Sequence, residues 1–325
     1  MNAGKIKNVN IFYYQPQTED FLVEVLRGLK KTPKELPTKY LYDEHGSALY
    51  ERICTLDEYY LPRLEVEIME RNIDEMVHLL GDRISLIEYG CGSCTKTRIL
   101  LDNLPDLTAY IPIDISKEQL SNVSNELNLD YPELEILPVC TDFTGDFQLP
   151  IPEKYHKQKV VYFPGSSIGN FEPESARRLL ARIAVVCETE GALLIGIDLA
   201  KDPEVLHYAY NDRQGITAAF NLNLLERINH ELGGDFHPEQ FEHRAFYNPD
   251  QGRVEMHLIS LRDQTIHLNN TKISFERGES IWTESSYKYE LSDFTRIAND
   301  AGFQVRRVWC DEQQWFSVLY LVVTD

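Results

Sequence analysis

Between Ser85 and Asp198 short apolar runs alternate with longer helical stretches, and few folds accommodate such a pattern. Ser85-Leu-Ile-Glu-Tyr89, Ala109-Tyr-Ile-Pro-Ile113, Leu134 to Val139, Lys159-Val-Val-Tyr-Phe163 and Ala192-Leu-Leu-Ile-Gly-Ile-Asp198 read as buried strands. Helices are expected from Thr95 to Leu104, from Ser116 to Leu127 with Ser116 as N-cap, and from Pro173 to Cys187 with proline at the start. Near-continuously apolar strands joined by helical crossovers make a parallel sheet covered on both faces. Ligands bind such sheets beyond the carboxyl ends of the strands, so the loops there are the first place to look for function.

The flanks read differently. Val66, Met69, Ile73, Met76 and Leu80 recur at spacings of 3, 4, 3 and 4, which predicts a helix from Arg63 to Leu80 that stops at Gly81. A second helix is expected from Ile216 to Leu232, ending at Gly233-Gly234. From Phe241 to Tyr289 the pattern is strand-like, broken by turn formers at Asn248-Pro-Asp-Gln-Gly252, Asn269-Asn270 and Glu276-Arg-Gly278. This predicts a small antiparallel unit inserted after the fifth strand. A helix from Leu291 to Ala301 follows, with Gly302 as its stop. Phe303–Trp309 and Trp315–Val323 then read as an antiparallel pair at the end of the sheet. No internal repeat or low-complexity tract interrupts the chain.

Charge narrows the partners. With 32 Lys+Arg against 52 Asp+Glu the net charge is −20, and no basic cluster stands out, which argues against nucleic acid and anionic membranes. No run reaches the ~18–20 apolar residues of a membrane span. Met1 to Asn10 has two lysines but no apolar stretch behind them, so no secretory signal is expected. Six cysteines in 325 residues do not make a disulfide scaffold, and a cytoplasmic location is the simplest expectation.

Several stretches carry chemistry. Glu88-Tyr-Gly90-Cys-Gly92 lies between a strand and a helix, where glycines let a ligand approach the backbone closely. Thr95 stands where the third glycine of a dinucleotide fingerprint would be, which disfavours a nicotinamide oxidoreductase. Asp114 follows Gly90 by 24 residues, at the end of the next strand, where a carboxylate can accept from both ribose hydroxyls of a nucleoside. Asp142-Phe143 adds an acceptor for an adenine amino group and a ring to pack beside the base. Cys91 and Cys94 form a lone Cys-x-x-Cys pair; with no second pair no metal is expected, and small side chains filling a turn are the plainer reading. Gly165-Ser-Ser-Ile-Gly-Asn170 follows the fourth strand, and Asn170 offers donors and an acceptor suited to an amino-acid head group. Glu284, Ser286 and Lys288 alternate onto one face of a strand, a pattern that taken alone describes a solvated face.

Taken together these residues resemble the histidine Nα-methyltransferases of ergothioneine biosynthesis, in the superfamily that also holds fungal dimethylallyltryptophan N-methyltransferases. The resemblance rests on Tyr-Leu-Tyr-Asp-Glu-His-Gly-Ser (40–47), Glu-Tyr-Tyr-Leu-Pro-Arg (58–63) and Glu-Tyr-Gly-Cys-Gly-Ser-Cys-Thr-Lys-Thr-Arg (88–98). It continues in Gly-Ser-Ser-Ile-Gly-Asn (165–170), Ala-Tyr-Asn-Asp (209–212) and Thr-Glu-Ser-Ser-Tyr-Lys (283–288). It implies an α/β class I S-adenosylmethionine-dependent methyltransferase: a mostly parallel seven-stranded sheet with an antiparallel last strand, plus a smaller α+β substrate-binding domain. Residues 62–200 and 288–325 would form the methyltransferase domain, and 1–61 and 201–287 the substrate-binding domain.

By motif position the resemblance assigns Glu88, Gly90, Gly92, Lys96, Asp114, Asp142 and Phe143 to S-adenosylmethionine, with S-adenosylhomocysteine as product. Tyr59, Gly165, Asn170 and Tyr210 would hold the substrate's amino and carboxylate groups, Tyr59 and Asn170 acting in catalysis by orienting the nitrogen. Tyr42 and Tyr50 would line the same pocket. Glu284 and Ser286 would read the imidazole, with Met256 beside it. The expected reaction is in-line transfer to the α-amino group of L-histidine, up to three times, by a monomer with a small-molecule substrate. Another amino acid (tryptophan- or tyrosine-like) and a non-catalytic nucleoside-binding protein are the alternatives. Two departures from the family pattern could change pocket size: Pro164 and Ser167 in the loop around Gly165, and Tyr50 in place of phenylalanine.

Overall fold

The five expected strands and the C-terminal pair form one sheet in the computed structural model, which describes residues 10–14, 18–92, 94–145 and 147–324. Seven strands run in the order Val139–Thr141, Ala109–Asp114, Ile84–Tyr89, Gln158–Phe163, Ala192–Asp198, Phe316–Val323, Phe303–Cys310. Phe316–Val323 is antiparallel to both neighbours, and the pairings between the other neighbours are parallel. The last strand of the chain therefore enters between two earlier ones, reversed, as the resemblance implies.

Alternate residues of each strand enter two different cores. Leu86, Tyr110, Val160, Tyr162, Leu194 and Val318 meet the helix Leu61–Leu80 through Leu64, Ile68, Met69 and Met76. Ile87, Ile111, Val161, Leu193, Ile195 and Leu319 meet Pro173–Cys187 and Leu291–Asp300 through Leu179, Leu180, Ile183 and Phe294. Burial on both faces is why these strands read as unbroken apolar runs.

The structure departs from the sequence reading in three places. Leu134–Val139 is divided into Glu135–Ile136 and Val139–Thr141, because Pro138 has no N–H to continue the ladder. Phe12–Tyr14, in a segment expected with the substrate-binding unit, adds a parallel edge strand beside Val139–Thr141. With the divided strand this brings the sheet, among the described residues, to nine segments rather than seven. Ser116 is at the N-cap of Lys117–Asp130, but its side chain makes no capping bond. Just before it, Asp114 accepts the Ser116 N–H at 2.9 Å, which fixes the turn that enters the helix.

The inserted unit is a four-stranded sheet in the order Lys34–Glu35, Ser280–Tyr287, Arg253–Ser260, Phe241–Asn248, accompanied by the hairpin Gln264–Leu268 and Thr271–Phe275. Helix Ile216–Leu232 packs on it. The helices Thr18–Leu29, Glu44–Ile53 and Pro203–Tyr210 have no counterpart in the sequence reading. Two family motifs find their purpose here. Asp43 caps Glu44–Ile53 by accepting from Gly46 N at 2.7 Å, and Gly46 is pressed so close to Leu41 O that a Cβ would stand 1.9 Å away. Asp212 accepts from the N–H groups of Ile216 at 2.9 Å and Thr217 at 2.8 Å, starting the helix Ile216–Leu232. Among the described residues no helix is long and apolar enough to cross a membrane. The start of the chain, residues 1–9, where the secretory-signal question was posed, lies outside them, as does Ser93 of the glycine turn.

Candidate active site

All seven residues expected to hold the cofactor line one cavity of about 920 Å³ at the carboxyl ends of the first three parallel strands. Gly90 and Gly92 have φ of 75° and 51°, a region that favours glycine, and a Cβ on Gly92 would meet nothing within 4 Å. The turn thus presents bare backbone to the cavity. Asp114 is fixed at the mouth: Oδ2 accepts from Gly92 N at 3.1 Å and Oδ1 from Ser116 N at 2.9 Å. Burial pushes its carboxyl up, against the opposing pull of those two N–H groups. A carboxylate has about four lone-pair positions, so acceptor capacity is left for vicinal hydroxyls. Burial also acts on Asp142, but the Thr144 hydroxyl and N–H and the Lys39 ammonium hold its carboxyl below the usual value. Phe143 packs against Tyr89 and Phe163, with ring centroids 5.3 and 5.7 Å away.

Two of the seven are placed in ways the sequence did not suggest. Glu88 lines the cavity, but its carboxylate accepts from Thr97 Oγ1 at 2.6 and 2.7 Å and from the Tyr110 hydroxyl. It is a buried strut under the glycine turn, with its carboxyl pushed up to about 8 by burial. Lys96 is paired with Glu65. The fully buried Glu65 also accepts the Gly165 N–H at 3.0 Å, so one carboxylate joins the helix after the glycine turn to the loop at Gly165. Sequence reasoning missed Glu65. The signal was a charge on the apolar stripe of its helix, four residues from both Leu61 and Met69. Lys39 was missed too; it bridges Glu24 at 3.0 Å and Asp142 at 3.1 Å, tying the N-terminal segment to the cavity wall.

All nine expected substrate residues line a second cavity of about 40 Å³. It shares Tyr42, Tyr50, Gly165 and Asn170 with the first, so the two are adjacent. Tyr42, Tyr50, Tyr59, Tyr210 and Phe220 form an aromatic wall with neighbouring centroids 5.5 to 6.4 Å apart. Phe220 was not foreseen. Burial pushes all four phenols up, so they stay neutral. The departure at Tyr50 is accommodated within this wall, where its ring stands edge-on to that of Tyr59 at 6.4 Å. In the other altered loop Ser167 Oγ donates to Pro164 O at 3.0 Å.

Met256 and Glu284 are paired across neighbouring strands, as are Val254 and Ser286, and the face bearing Glu284 and Ser286 turns inward rather than to solvent. Burial raises the Glu284 carboxyl to about 7, against Lys288 and a hydrogen bond from Asn170. Asn170 and Glu284, expected at opposite ends of a substrate, both line the small cavity. Tyr210, grouped by motif with the head-group residues, donates its hydroxyl to Ser286 Oγ at 2.8 Å. Cys91 and Cys94 are buried free thiols, and among the described residues no cluster of three or more His, Cys, Asp or Glu could hold a metal.

A glycine turn after the first strand, an acid at the end of the second and a reversed last strand define a class I S-adenosylmethionine-dependent methyltransferase. Sequence comparison takes this further. The family described as histidine-specific, SAM-dependent methyltransferases matches residues 21–323, and the chain belongs to it. A histidine N-alpha-methyltransferase of Mycolicibacterium smegmatis is 36% identical over 294 residues, covering 89% of this chain and 90% of that protein. One from Mycobacterium tuberculosis is 36% identical over 300 residues, covering 91% and 92%. Ergothioneine biosynthesis protein 1 of Neurospora crassa is 32% identical over 299 residues, which cover 85% of this chain and 33% of that protein.

An Asp114→Ala variant is expected to weaken S-adenosylmethionine binding roughly 10- to 100-fold, since hydrogen bonds to a charged acceptor contribute about 1.5–3 kcal/mol. Titration calorimetry reads this directly. An affinity within about twofold of the parent would remove Asp114 from the site.

Proposed function

We propose that this enzyme methylates the α-amino nitrogen of free L-histidine, adding up to three methyl groups from S-adenosylmethionine. The observation that carries the proposal is the inward-facing Glu284-x-Ser286 pair closing a small cavity that opens beside the large one. A carboxylate and a hydroxyl two residues apart on one strand face suit a ring with polar atoms on two sides. In this reading residues 62–200 and 288–325 bind the donor, while 1–61 and 201–287 supply the substrate side, apart from the edge strand at Phe12–Tyr14. The same reading takes the protein as a cytoplasmic monomer acting on a free metabolite, and a net charge of −20 supports leaving nucleic acid out.

S-adenosylmethionine supplies a methyl group on a sulfonium, which a neutral amine can take in line. The protein's contribution is position. Asn170 and the Tyr59 hydroxyl orient the nitrogen at the junction of the two cavities, and alignment of this kind is worth effective molarities of about 10⁵–10⁸ M. The tyrosine wall stabilises cationic groups through its ring faces by about 0.5–2 kcal/mol each. No strong base is required of these phenols, because the amine reaches its neutral form by losing a proton to solvent. Each transfer leaves the nitrogen with one proton fewer to lose, and the trimethylated product has no lone pair, which ends the series.

The test is mass spectrometry of products after incubation with S-adenosylmethionine and a mixture of amino acids. Histidine carrying one, two and then three methyl groups is the expected result. A single methyl only would end the trimethylation claim. Methylation of another amino acid would reassign Glu284 and Ser286.

A further inference from the structure

Lys288 follows the strand that bears Glu284 and Ser286, and its side chain has no exposed surface. An ammonium has three N–H donors and accepts nothing. Here the three reach Asp198 Oδ2 at 2.8 Å, Ser286 Oγ at 2.7 Å and the Tyr210 hydroxyl oxygen at 2.9 Å. Both hydroxyl oxygens must therefore accept from Lys288. Tyr210 in turn donates to Ser286 Oγ at 2.8 Å. A serine oxygen has two lone pairs, and both are now occupied. What Ser286 has left for the cavity is its own O–H.

We propose that Lys288 is a positioning residue that fixes Ser286 as a hydrogen-bond donor, so that the cavity selects a ring with an acceptor nitrogen facing Ser286 and an N–H facing Glu284. This rests on the histidine reading and deepens it, because a neutral imidazole is a ring of that kind. The anchor for the arrangement lies in the large sheet. Asp198 ends the fifth parallel strand and also accepts from the Tyr60 hydroxyl at 2.9 Å and from Lys201. Burial pulls the Lys288 ammonium down, but Asp198 and Tyr210 more than restore it, so it stays charged. Without Lys288 the Tyr210 oxygen loses its donor, and the Ser286 hydroxyl can turn to donate to it, so the O–H no longer depends on an acceptor in the ligand.

The test compares two ligands on the protein saturated with S-adenosylhomocysteine. One is L-histidine; the other is its pyrrole analogue, in which C–H replaces the acceptor nitrogen and the N–H is kept. The parent is expected to prefer histidine by about tenfold or more, since a buried donor is otherwise left unpaired. In Lys288→Met the preference is expected to fall below about threefold, with KM for histidine rising more than kcat falls. An unchanged preference in that variant overturns the inference. Should Lys288→Met fail to fold, nitrogen-15 spectra of labelled histidine on the parent decide the matter. One protonated and one unprotonated ring nitrogen are expected; a bound imidazolium overturns the inference and leaves the histidine reading standing. A parent that neither binds nor methylates histidine overturns both.

Discussion

Glu65→Ala is expected to lower the stability of the protein by about 3–5 kcal/mol, the usual consequence of removing one partner of a buried ion pair. The same change should abolish measurable S-adenosylmethionine binding. Glu65 is fully buried, and its carboxylate holds the Lys96 ammonium and the Gly165 N–H together. Alanine leaves both without that acceptor. It also frees a loop whose first two residues, Gly165 and Ser166, have φ of 73° and 59°. A second variant separates the two effects. Glu65→Leu combined with Lys96→Met replaces the charged pair by apolar groups, which is often neutral for stability. The double variant should regain most of the lost stability in a urea titration, yet cofactor binding should stay poor, because Lys96 is gone from the cavity and the Gly165 N–H still lacks its acceptor. A Glu65→Ala protein with stability within about 1 kcal/mol of the parent and intact cofactor affinity would refute this account.

Glu65 also marks where the sequence stopped being readable. The large sheet was legible because its strands are buried on both faces and so appear as apolar runs of the right length. Asp114 was legible because position in such a sheet, at the end of the second strand, already says what a carboxylate can do. The helices Thr18–Leu29 and Glu44–Ile53 were not, being short and packed through a few residues each. Glu284, Ser286 and Lys288 show the limit most clearly. Their alternation was visible, but on its own it described a solvated face, whereas they are 8%, 5% and 5% exposed. What turns that face inward is distant in the sequence. Lys288 pairs with Asp198 from the large sheet, and Ser286 meets Tyr210 from a helix that local pattern did not reveal. The roles given to Tyr59 and Tyr210 came from family likeness and not from spacing, for the same reason, whereas Asn170 could be singled out by its loop beyond the fourth strand.

Glu284 is where the second large effect is expected. Glu284→Ala should raise KM for histidine roughly 10- to 100-fold with a smaller change in kcat, since a buried ring N–H left unpaired costs about 1–3 kcal/mol. The pH dependence follows from burial, which raises the carboxyl from 4.5 to about 7. Below that pH the group is protonated and no longer a pure acceptor; above it the carboxylate can take the ring N–H. KM should therefore fall as pH rises through about 7 in the parent, and Glu284→Gln should flatten this dependence in KM. The effect on folding has the opposite sense. A raised pKa means that the unfolded chain ionises first, so the folded ligand-free protein loses stability as pH rises from 4.5 to about 7. Glu284→Gln should accordingly melt higher than the parent at pH 8, and no higher at pH 4, where both forms of the residue are neutral. A parent and variant that melt alike at pH 8 would show that the carboxylate is not strained in the ligand-free site. If they differ as expected, the imidazole N–H supplies what the empty site lacks, and histidine should raise the melting temperature of the parent more than that of the glutamine variant.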